Sequence, residues 1–156
     1  MPTDVSETWG ALLKVHAALV PRLDRELQEA HGLPLTWYDV LLELNAAPDR
    51  RLTMGQLGSV AAVSRTRVSR VVDELVQAGM VAREPNPADG RSAFAALTPA
   101  GRATLRTAGP TYVAAVRREF TDHLTAREND VVAGALGKVL AAIGLRPEPG
   151  STTLPG

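Results

Sequence analysis

The sequence predicts a mainly α-helical fold that carries one small β-hairpin, and three observations indicate this. Apolar residues recur every three or four positions through most of the chain, which is the period of an amphipathic helix. Several of these periodic runs begin at a Thr or Ser, the residue types that cap helix starts. Between residues 80 and 97 the period changes to about two, which is typical of strands. At 156 residues the chain is long enough for one domain, or for a domain with helical extensions.

Two helices are predicted in the first part of the chain. A leucine-rich stripe indicates a long helix over about residues 6–31, and Gly32 and Pro34 end it. Thr36 is expected to cap a second helix that reaches about residue 46. The stretch APDRR that follows predicts a turn.

Two shorter capped helices follow in quick succession. Thr53 and Gln56 form a capping box that opens a helix to about residue 62. Ser64 caps the next helix, which ends at Gly79. The residue spacing places one apolar stripe of this helix in the core and leaves an opposite face that is polar and bears arginine. The predicted buried stripe consists of Val68, Val71, Val72, Leu75 and Val76.

A hairpin is predicted after this helix. Residues 80–84 and 92–97 are its strands, and the loop PNPADGR joins them. Asp89 and Gly90 are expected to supply the turn, while the two prolines stiffen the loop. Arg91 stands beside this turn, where no apolar neighbour in the sequence could bury it.

The remaining chain predicts two further helices. Thr98 caps the first, which runs to about residue 123, and the pair Gly109-Pro110 is expected to kink or interrupt it. A second capping box opens the last helix, which runs to Gly144, and we expect residues 146–156 to be disordered. This order of elements is that of a winged helix-turn-helix in which the hairpin is the wing.

Charge and composition narrow the functional classes. Residues 1–49 hold three basic and eight acidic side chains, whereas residues 50–102 hold eight arginines and four acidic side chains. A basic middle segment suggests an anionic partner. The chain has no cysteine, which excludes disulfides and thiolate chemistry. No signal peptide or apolar membrane span is recognisable, so a cytoplasmic protein without a membrane partner is expected.

Enzyme and metal-binding functions are not supported by the residue inventory. The three histidines, His16, His31 and His123, are isolated, and no phosphate-binding glycine loop or nucleophile elbow occurs. We therefore expect no catalytic activity, no cofactor and no metal site.

From about Leu52 to Leu97 the chain resembles the DNA-binding lobe of the MarR (multiple antibiotic resistance regulator) family of transcription factors. SRTRVSRVVDEL is similar to the recognition helix of that family, PNPADGR to its Asp-x-Arg wing, and LTPAGR to its strand-to-helix exit. The flanking helices fit as well, so the resemblance covers nearly the whole chain apart from its C-terminal tail.

The resemblance implies a homodimer, a pseudo-palindromic DNA operator and release by a small aromatic or phenolic ligand, most simply in a repressor. It divides the chain into a helical dimerisation region, residues 1–35 and 99–145, and a DNA-binding lobe, residues 36–98. The residue pattern also favours a dimer, because both end regions carry long apolar stripes that a small lobe cannot cover. A two-fold dimer would place two recognition helices in successive major grooves about 34 Å apart.

Eight residues are candidate DNA contacts. Those on the recognition helix would face the major groove and nearby phosphates; the alternative is a solvated helix face with an Arg70–Glu74 ion pair. Arg91 would enter the adjacent minor groove, and Asp89 either orients that arginine or only forms the turn. The candidates are Ser64, Arg65, Thr66, Arg67, Ser69, Arg70, Asp89 and Arg91. Further candidates for contact with the DNA backbone are Arg51, Met54 and Gln56.

Four side chains are candidates for an effector cavity between the dimer helices and the lobe, although aromatic residues more often belong to the core. They are Trp9, His16, Trp37 and Tyr38. Two other functions stay open at this point. One is a winged helix that binds an acidic protein partner, and the other is a DNA-binding regulator that has no effector.

Overall fold

The computed structural model of the protein describes residues 5–145, apart from the side chains of Val5 and Arg65. The predicted disorder of residues 146–156 lies outside this range. The described helices are α1 (Val5–His31), α2 (Leu35–Ala46), α3 (Met54–Val60), α4 (Arg65–Gln77), α5 (Pro99–Glu119) and α6 (Ala126–Ala142). The described strands are β1 (Arg51–Thr53), β2 (Val81–Pro85) and β3 (Ala93–Leu97). Short 3-10 helices lie at Pro48–Arg50 and Thr121–His123.

Most predicted helix boundaries are confirmed because they depend on neighbouring residues. Side-chain caps are present at Thr53, Ser64, Thr98 and Thr125. Gly79 follows α4 with a φ of 74°, a left-handed conformation that glycine adopts without steric cost. These local signals fix where the helix-turn-helix begins and ends.

The start of α2 differs from the prediction. The helix begins at Leu35, so Thr36 lies inside it and does not cap it. The backbone N–H of Leu35 instead donates to Oδ1 of Asp24 on α1, at 2.8 Å. The cap is therefore a carboxylate from a neighbouring helix, which no pattern around Thr36 could reveal.

A third strand joins the predicted hairpin. β1 pairs antiparallel with β3, and the strand order β1-β3-β2 makes β3 the central strand. The turn predicted at APDRR is thus only the 3-10 helix, and a strand follows at once. A three-residue strand is too short to show an alternating pattern, so its partner β3 defines it.

Of the kink or interruption predicted at Gly109-Pro110, the interruption is wrong, because α5 continues as one helix through both residues, while the kink stays a prediction. Proline removes one helical hydrogen bond and crowds the preceding turn. Buried Leu105, Ala108 and Ala115 hold the helix in the core on both sides of this point. Tertiary packing therefore maintains the helix where local propensity would end it.

The core lies mainly in the lobe. The apolar stripe of α4 is buried as predicted, with Val76 only partly so, and it packs against residues of α2, α3, the sheet and α5. Helix α1 contributes little to this core, and α6 has no buried residue. The end helices α1 and α6 thus lie largely outside the core of the lobe.

Candidate nucleic-acid interface

The outward face of α4 is polar and exposed. Its side chains lie opposite the buried stripe, and Ser64 caps the helix by accepting from the backbone N–H of Arg67 at 3.4 Å. The exposed residues of this face and its cap are Ser64, Thr66, Arg67, Ser69 and Arg70. The side chain of Arg65, a further predicted contact, lies outside the described part of the structure. A capped helix N-terminus with two exposed arginines is suited to anions.

A cleft of about 450 Å³ runs along this face. The start of α2 forms one side of it and the first turns of α4 form the other. Its lining residues are Thr36, Ser64, Thr66, Arg67, Arg70, Val71 and Glu74.

The ion pair between Arg70 and Glu74 is formed. Nε of Arg70 donates to Oε1 of Glu74 at 3.2 Å, while the Arg70 side chain stays 82% exposed. The other oxygen, Oε2, accepts from the indole N–H of Trp37 at 2.9 Å. Within the described residues the terminal nitrogens of Arg70 have no partner, so the guanidinium is held at one edge and free at the other.

The wing loop is built by side chains that accept from its own backbone. Oδ1 of Asp89 accepts from the backbone N–H of Arg91 at 3.0 Å, and Oδ1 of Asn86 accepts from that of Ala88 at 3.0 Å. The turn therefore rests on Asp89 and Asn86, and it needs no left-handed backbone at Gly90.

Asp89 makes the turn and forms no ion pair with the Arg91 side chain in the described structure. The side chain of Arg91 is exposed at the end of the wing and forms no hydrogen bond or ion pair among residues 5–145. The guanidinium is thus available to an outside partner.

Two ion pairs hold the wing against the rest of the lobe. Nη2 of Arg83 on β2 donates to Oδ1 of Asp73 on α4 at 2.6 Å. Arg51 on β1 donates to Glu84 at 3.2 Å, and its guanidinium lies 4.7 Å from the centroid of the Phe94 ring. Arg51, proposed from the sequence as a backbone contact, is therefore engaged within the sheet. The sequence pattern did not predict either pair, since each joins two different elements.

Asp39 of α2 reaches the turn between α3 and α4. Its Oδ2 accepts from the backbone N–H of Ala62 at 2.7 Å. Burial raises the pKa of Asp39, and this hydrogen bond partly opposes that shift. Burial also raises the pKa of Glu43, one turn further along α2, to about 7, with a smaller contribution from the charge of Asp39. Because burial raises both pKa values, ionising either acid costs free energy in the folded lobe.

The four predicted ligand residues are not brought together. Trp9 is 60% exposed on α1, and His16 is exposed on the same helix. Trp37 is half-buried and bonded to Glu74.

Tyr38 is the buried member of that set. It is 1% exposed, and its ring centroid lies 4.6 Å from that of Tyr112. Its hydroxyl has no partner within the described chain. Burial, followed by the proximity of Tyr112, raises the pKa of Tyr38 to about 12, so the hydroxyl stays neutral.

A second cleft, of about 420 Å³, lies between α1 and the end of α5. It contains none of the four predicted ligand residues. Its lining is largely apolar and consists of Lys14, Val15, Ala18, Leu19, Glu119, Phe120, His123 and Leu124.

Residues 5–145 contain neither a clustered set of metal ligands nor a membrane-spanning helix. No group of three or more histidines and acids is arranged to hold a metal ion. No helix in this range combines the length and apolar character that crossing a membrane requires.

Comparison with known proteins decides the family. The model of the MarR family matches residues 31–92. A MarR family transcriptional regulator from Streptomyces coelicolor, solved in complex with DNA, is 34% identical to this chain with a TM-score of 0.80. That match covers 99% of this chain and 96% of the other. The chain belongs to the MarR family.

Other MarR family structures are similar along most of their length. AbsC from Streptomyces coelicolor is 30% identical, with a TM-score of 0.79, over 92% of this chain and 97% of that one. A cysteine-to-serine mutant of MarR from E. coli, complexed with operator DNA, is 27% identical, with a TM-score of 0.72, over 88% and 99%. No curated protein sequence matches this chain significantly.

The predicted mainly helical fold with a small β wing is confirmed, and so is the family named from the sequence. The matched MarR family proteins are transcriptional regulators, and two of them were solved in complex with DNA. This chain is a winged-helix member of that family of transcriptional regulators.

Proposed function

We propose that this MarR family protein is a homodimeric repressor that recognises a pseudo-palindromic DNA duplex through α4. The observation that carries the proposal is the division of α4 into a buried apolar stripe and an exposed polar face with Arg67 and Arg70. Arginine can bond the O6 and N7 atoms of guanine with two N–H groups, which makes such a face suited to the major groove. Ser64, Thr66 and Ser69 would add contacts to bases or phosphates, and Arg65 belongs to the same proposed face.

The wing would extend this contact into the neighbouring minor groove. Arg91 is exposed, and Asp89 and Asn86 stiffen the loop that presents it. Narrow A·T-rich minor grooves attract arginine because their negative potential is enhanced. The role of Asp89 would then be to shape the loop, which positions Arg91 through the backbone.

Dimerisation would use the end helices, within residues 1–35 and 99–145. Helix α6 exposes an apolar stripe, and α1 exposes further apolar side chains along its length. Exposed apolar surface of this extent is typical of an interface. The large exposed side chains on α6 are Val131, Leu136, Val139 and Leu140, and Ile143 caps its C-terminal end. Those on α1 are Trp9, Leu12, Leu13, Val15 and Val20.

Release by a small aromatic or phenolic ligand would complete the regulatory cycle. The α1–α5 cleft supports this part of the proposal, because about 420 Å³ is the size of a small-molecule site and its lining combines apolar side chains with Lys14 and His123. A ligand there would act by favouring a dimer geometry in which the two lobes no longer match the half-sites. Trp9, His16, Trp37 and Tyr38 remain predicted contacts and line neither cleft.

The test is a selection of duplexes from a random-sequence pool, followed by binding in the presence of excess random duplex. We expect enrichment of an inverted repeat and a complex that contains two chains per duplex by light scattering. Aromatic carboxylates and phenols, added as a panel, should weaken that complex if the effector proposal is right. A pool that shows no enrichment would overturn the proposed function and would favour a winged helix that binds an acidic protein. Enrichment without any effect of the panel would favour a regulator that has no effector of this class.

A further inference from the structure

Glu74 connects the proposed recognition helix to α2. Its two carboxylate oxygens have different partners: Oε1 accepts from Nε of Arg70 at 3.2 Å, and Oε2 accepts from Nε1 of Trp37 at 2.9 Å. Because both oxygens are occupied, the carboxylate has one favoured orientation. The hydrogen-bonded series Trp37–Glu74–Arg70 therefore runs from a core-packed indole to a solvent-exposed guanidinium.

The two ends of this hydrogen-bonded series differ in solvent exposure. Trp37 is half-buried and packs against the hydrophobic core, whereas the Arg70 side chain is 82% exposed. Glu74 is intermediate, with 38% of its side chain exposed. An exposed arginine on its own samples many rotamers, and a partner fixed to the core reduces that freedom.

The hydrogen bond selects which edge of the guanidinium can bind DNA. Glu74 occupies Nε, so the end formed by Nη1 and Nη2 is left for an outside partner. Two parallel N–H groups on that end match the O6 and N7 atoms of guanine. A negative charge beside them also opposes non-specific attraction to phosphate, because it offsets part of the arginine charge.

We propose that Glu74 and Trp37 are positioning residues for sequence discrimination: they hold Arg70 in the orientation that reads a base and disfavour contact with any nearby phosphate. This inference rests on the proposed function, in which α4 reads the major groove. Trp37 is thereby assigned to the DNA-reading apparatus through its N–H group.

The test compares two conservative variants that remove different partners from the hydrogen-bonded series. Trp37→Phe removes the indole N–H and keeps an aromatic ring, and Glu74→Gln removes the charge and keeps a side chain of the same size. The dissociation constant is measured by fluorescence anisotropy for the duplex selected by the wild-type protein and for a scrambled duplex. The ratio of the two constants measures discrimination.

The expected result is a loss of discrimination of roughly two- to tenfold in each variant, the range that corresponds to releasing one immobilised side chain. Glu74→Gln should also tighten binding to the scrambled duplex, since it removes a negative charge. Trp37→Phe should not. In an Arg70→Ala background neither substitution should change the ratio further, because the positioned group is absent.

Glu26→Gln is the matched control. It removes one carboxylate from an exposed ion pair, with Arg118, between α1 and α5. Discrimination should be unchanged in this variant. Thermal unfolding of every variant establishes that binding is measured below the unfolding temperature of that variant. If Trp37→Phe does not fold, the positioning role is tested by Glu74→Gln alone, measured with and without Arg70→Ala.

Three outcomes would overturn the inference. If Arg70→Ala lowers the ratio but the two positioning variants do not, the proposed function stands and the positioning role is wrong. If the variants lower the ratio equally with and without Arg70, their effect is a general one on the structure of α4. If Arg70→Ala itself has no effect, the base-reading role of Arg70 fails, and the positioning role fails with it.

Discussion

The helix-turn-helix lobe and the end helices differ in the chemistry that they leave exposed. In the lobe, α2 and α4 bury most of their apolar residues, and Val40, Leu44 and Val72 are each 0% exposed. In the end helices, Val139 and Ile143 at the C-terminal end remain 58% and 63% exposed. The lobe has a buried apolar core, whereas the end helices leave apolar side chains exposed to solvent.

This difference teaches which partner each region requires. The lobe exposes arginine and hydroxyl side chains on α4, and ordered turns hold the wing, so it is complete before it meets a polar partner. The end helices expose aliphatic stripes, and burial of apolar surface is worth about 25 cal/mol per Å². A second copy of the chain would supply that burial, which makes the dimer proposal and the DNA proposal physically separable.

The largest expected effect is that of a charge on the α6 stripe. Val139→Glu should convert the dimer to a monomer, because an ionised carboxylate cannot be buried without a partner. Affinity for the full inverted repeat should then fall by about 100-fold or more through loss of bivalent binding. Light scattering and anisotropy measure the two effects. Ala141→Glu, on the opposite face of the same helix, should change neither; equal effects of both variants would contradict an interface on this stripe.

The next effect concerns the polar face of the lobe. Arg67→Ala should weaken binding of the selected duplex by about 1–3 kcal/mol, either through a base contact or a phosphate contact. A lost phosphate contact lowers the slope of log affinity against log salt by roughly one, while a lost base contact relaxes one position of the site. The free energy of unfolding, measured in urea, should change by less than about 0.5 kcal/mol because the side chain is exposed. Unchanged affinity and salt slope would exclude this residue from the interface.

A smaller and more selective effect is expected at the wing. Arg91→Ala should reduce affinity by about 1 kcal/mol on duplexes with A·T-rich flanks and by less on G·C-rich flanks, because the narrow minor groove attracts arginine. Anisotropy with the two flank sets measures the difference. Arg127→Ala, an exposed arginine of α6, is the control. The same loss on both flank sets would indicate phosphate contact and no minor-groove reading.

The smallest expected effect is on the stability of the lobe, and it tests the cost of ionising the partly buried Glu43. The folded pKa of Glu43 is raised to about 7 from an ordinary 4.5, so the fold favours its protonated form. The cost of ionising it is absent at low pH and grows as the pH rises from about 4.5 to about 7. Glu43→Gln should therefore stabilise the lobe by about 1 kcal/mol at pH 8, a figure discounted for the partly exposed side chain.

Urea unfolding at pH 8 and near pH 4.5 measures that prediction. The stabilisation should be present at the higher pH and absent at the lower one. Glu29→Gln on the exposed face of α1 is the control. A variant that is less stable than the wild type at pH 8 would mean that the Glu43 carboxylate makes a favourable interaction.

Much of the fold could be predicted from the sequence because its signals are local. The boxes Thr53–Gln56 and Thr125–Glu128 act over one helical turn, and Ser64 and Gly79 mark the two ends of α4. What was missed depends on residues far apart in the chain. Strand β1 exists because β3 pairs with it, and α2 is capped by Asp24 of another helix. Such contacts become visible only when the helices have packed.

In the candidate site too, features that depend on local sequence could be predicted, and features that depend on tertiary packing could not. The exposure of Arg67, Arg70 and Arg91 followed from helical spacing and from the hairpin pattern. The orientation of Arg70 did not, because Trp37 and Glu74 are 37 positions apart and only the packing of α2 against α4 joins them. The four predicted ligand residues share only a ring-bearing side chain and an expected place between the dimer helices and the lobe, and neither property determines whether the side chains converge.

The central claim is that the lobe recognises DNA and that the end helices form the dimer. Its most direct test is one measurement on the Arg67→Ala, Arg70→Ala double variant. Its mass by light scattering and its discrimination between the selected and scrambled duplexes are determined on the same sample. We predict the mass of a dimer together with a loss of discrimination of at least about tenfold, because base contacts specify sequence and these arginines lie outside the proposed dimer surface. Retained discrimination with an unchanged mass would contradict the assignment of the α4 face to DNA.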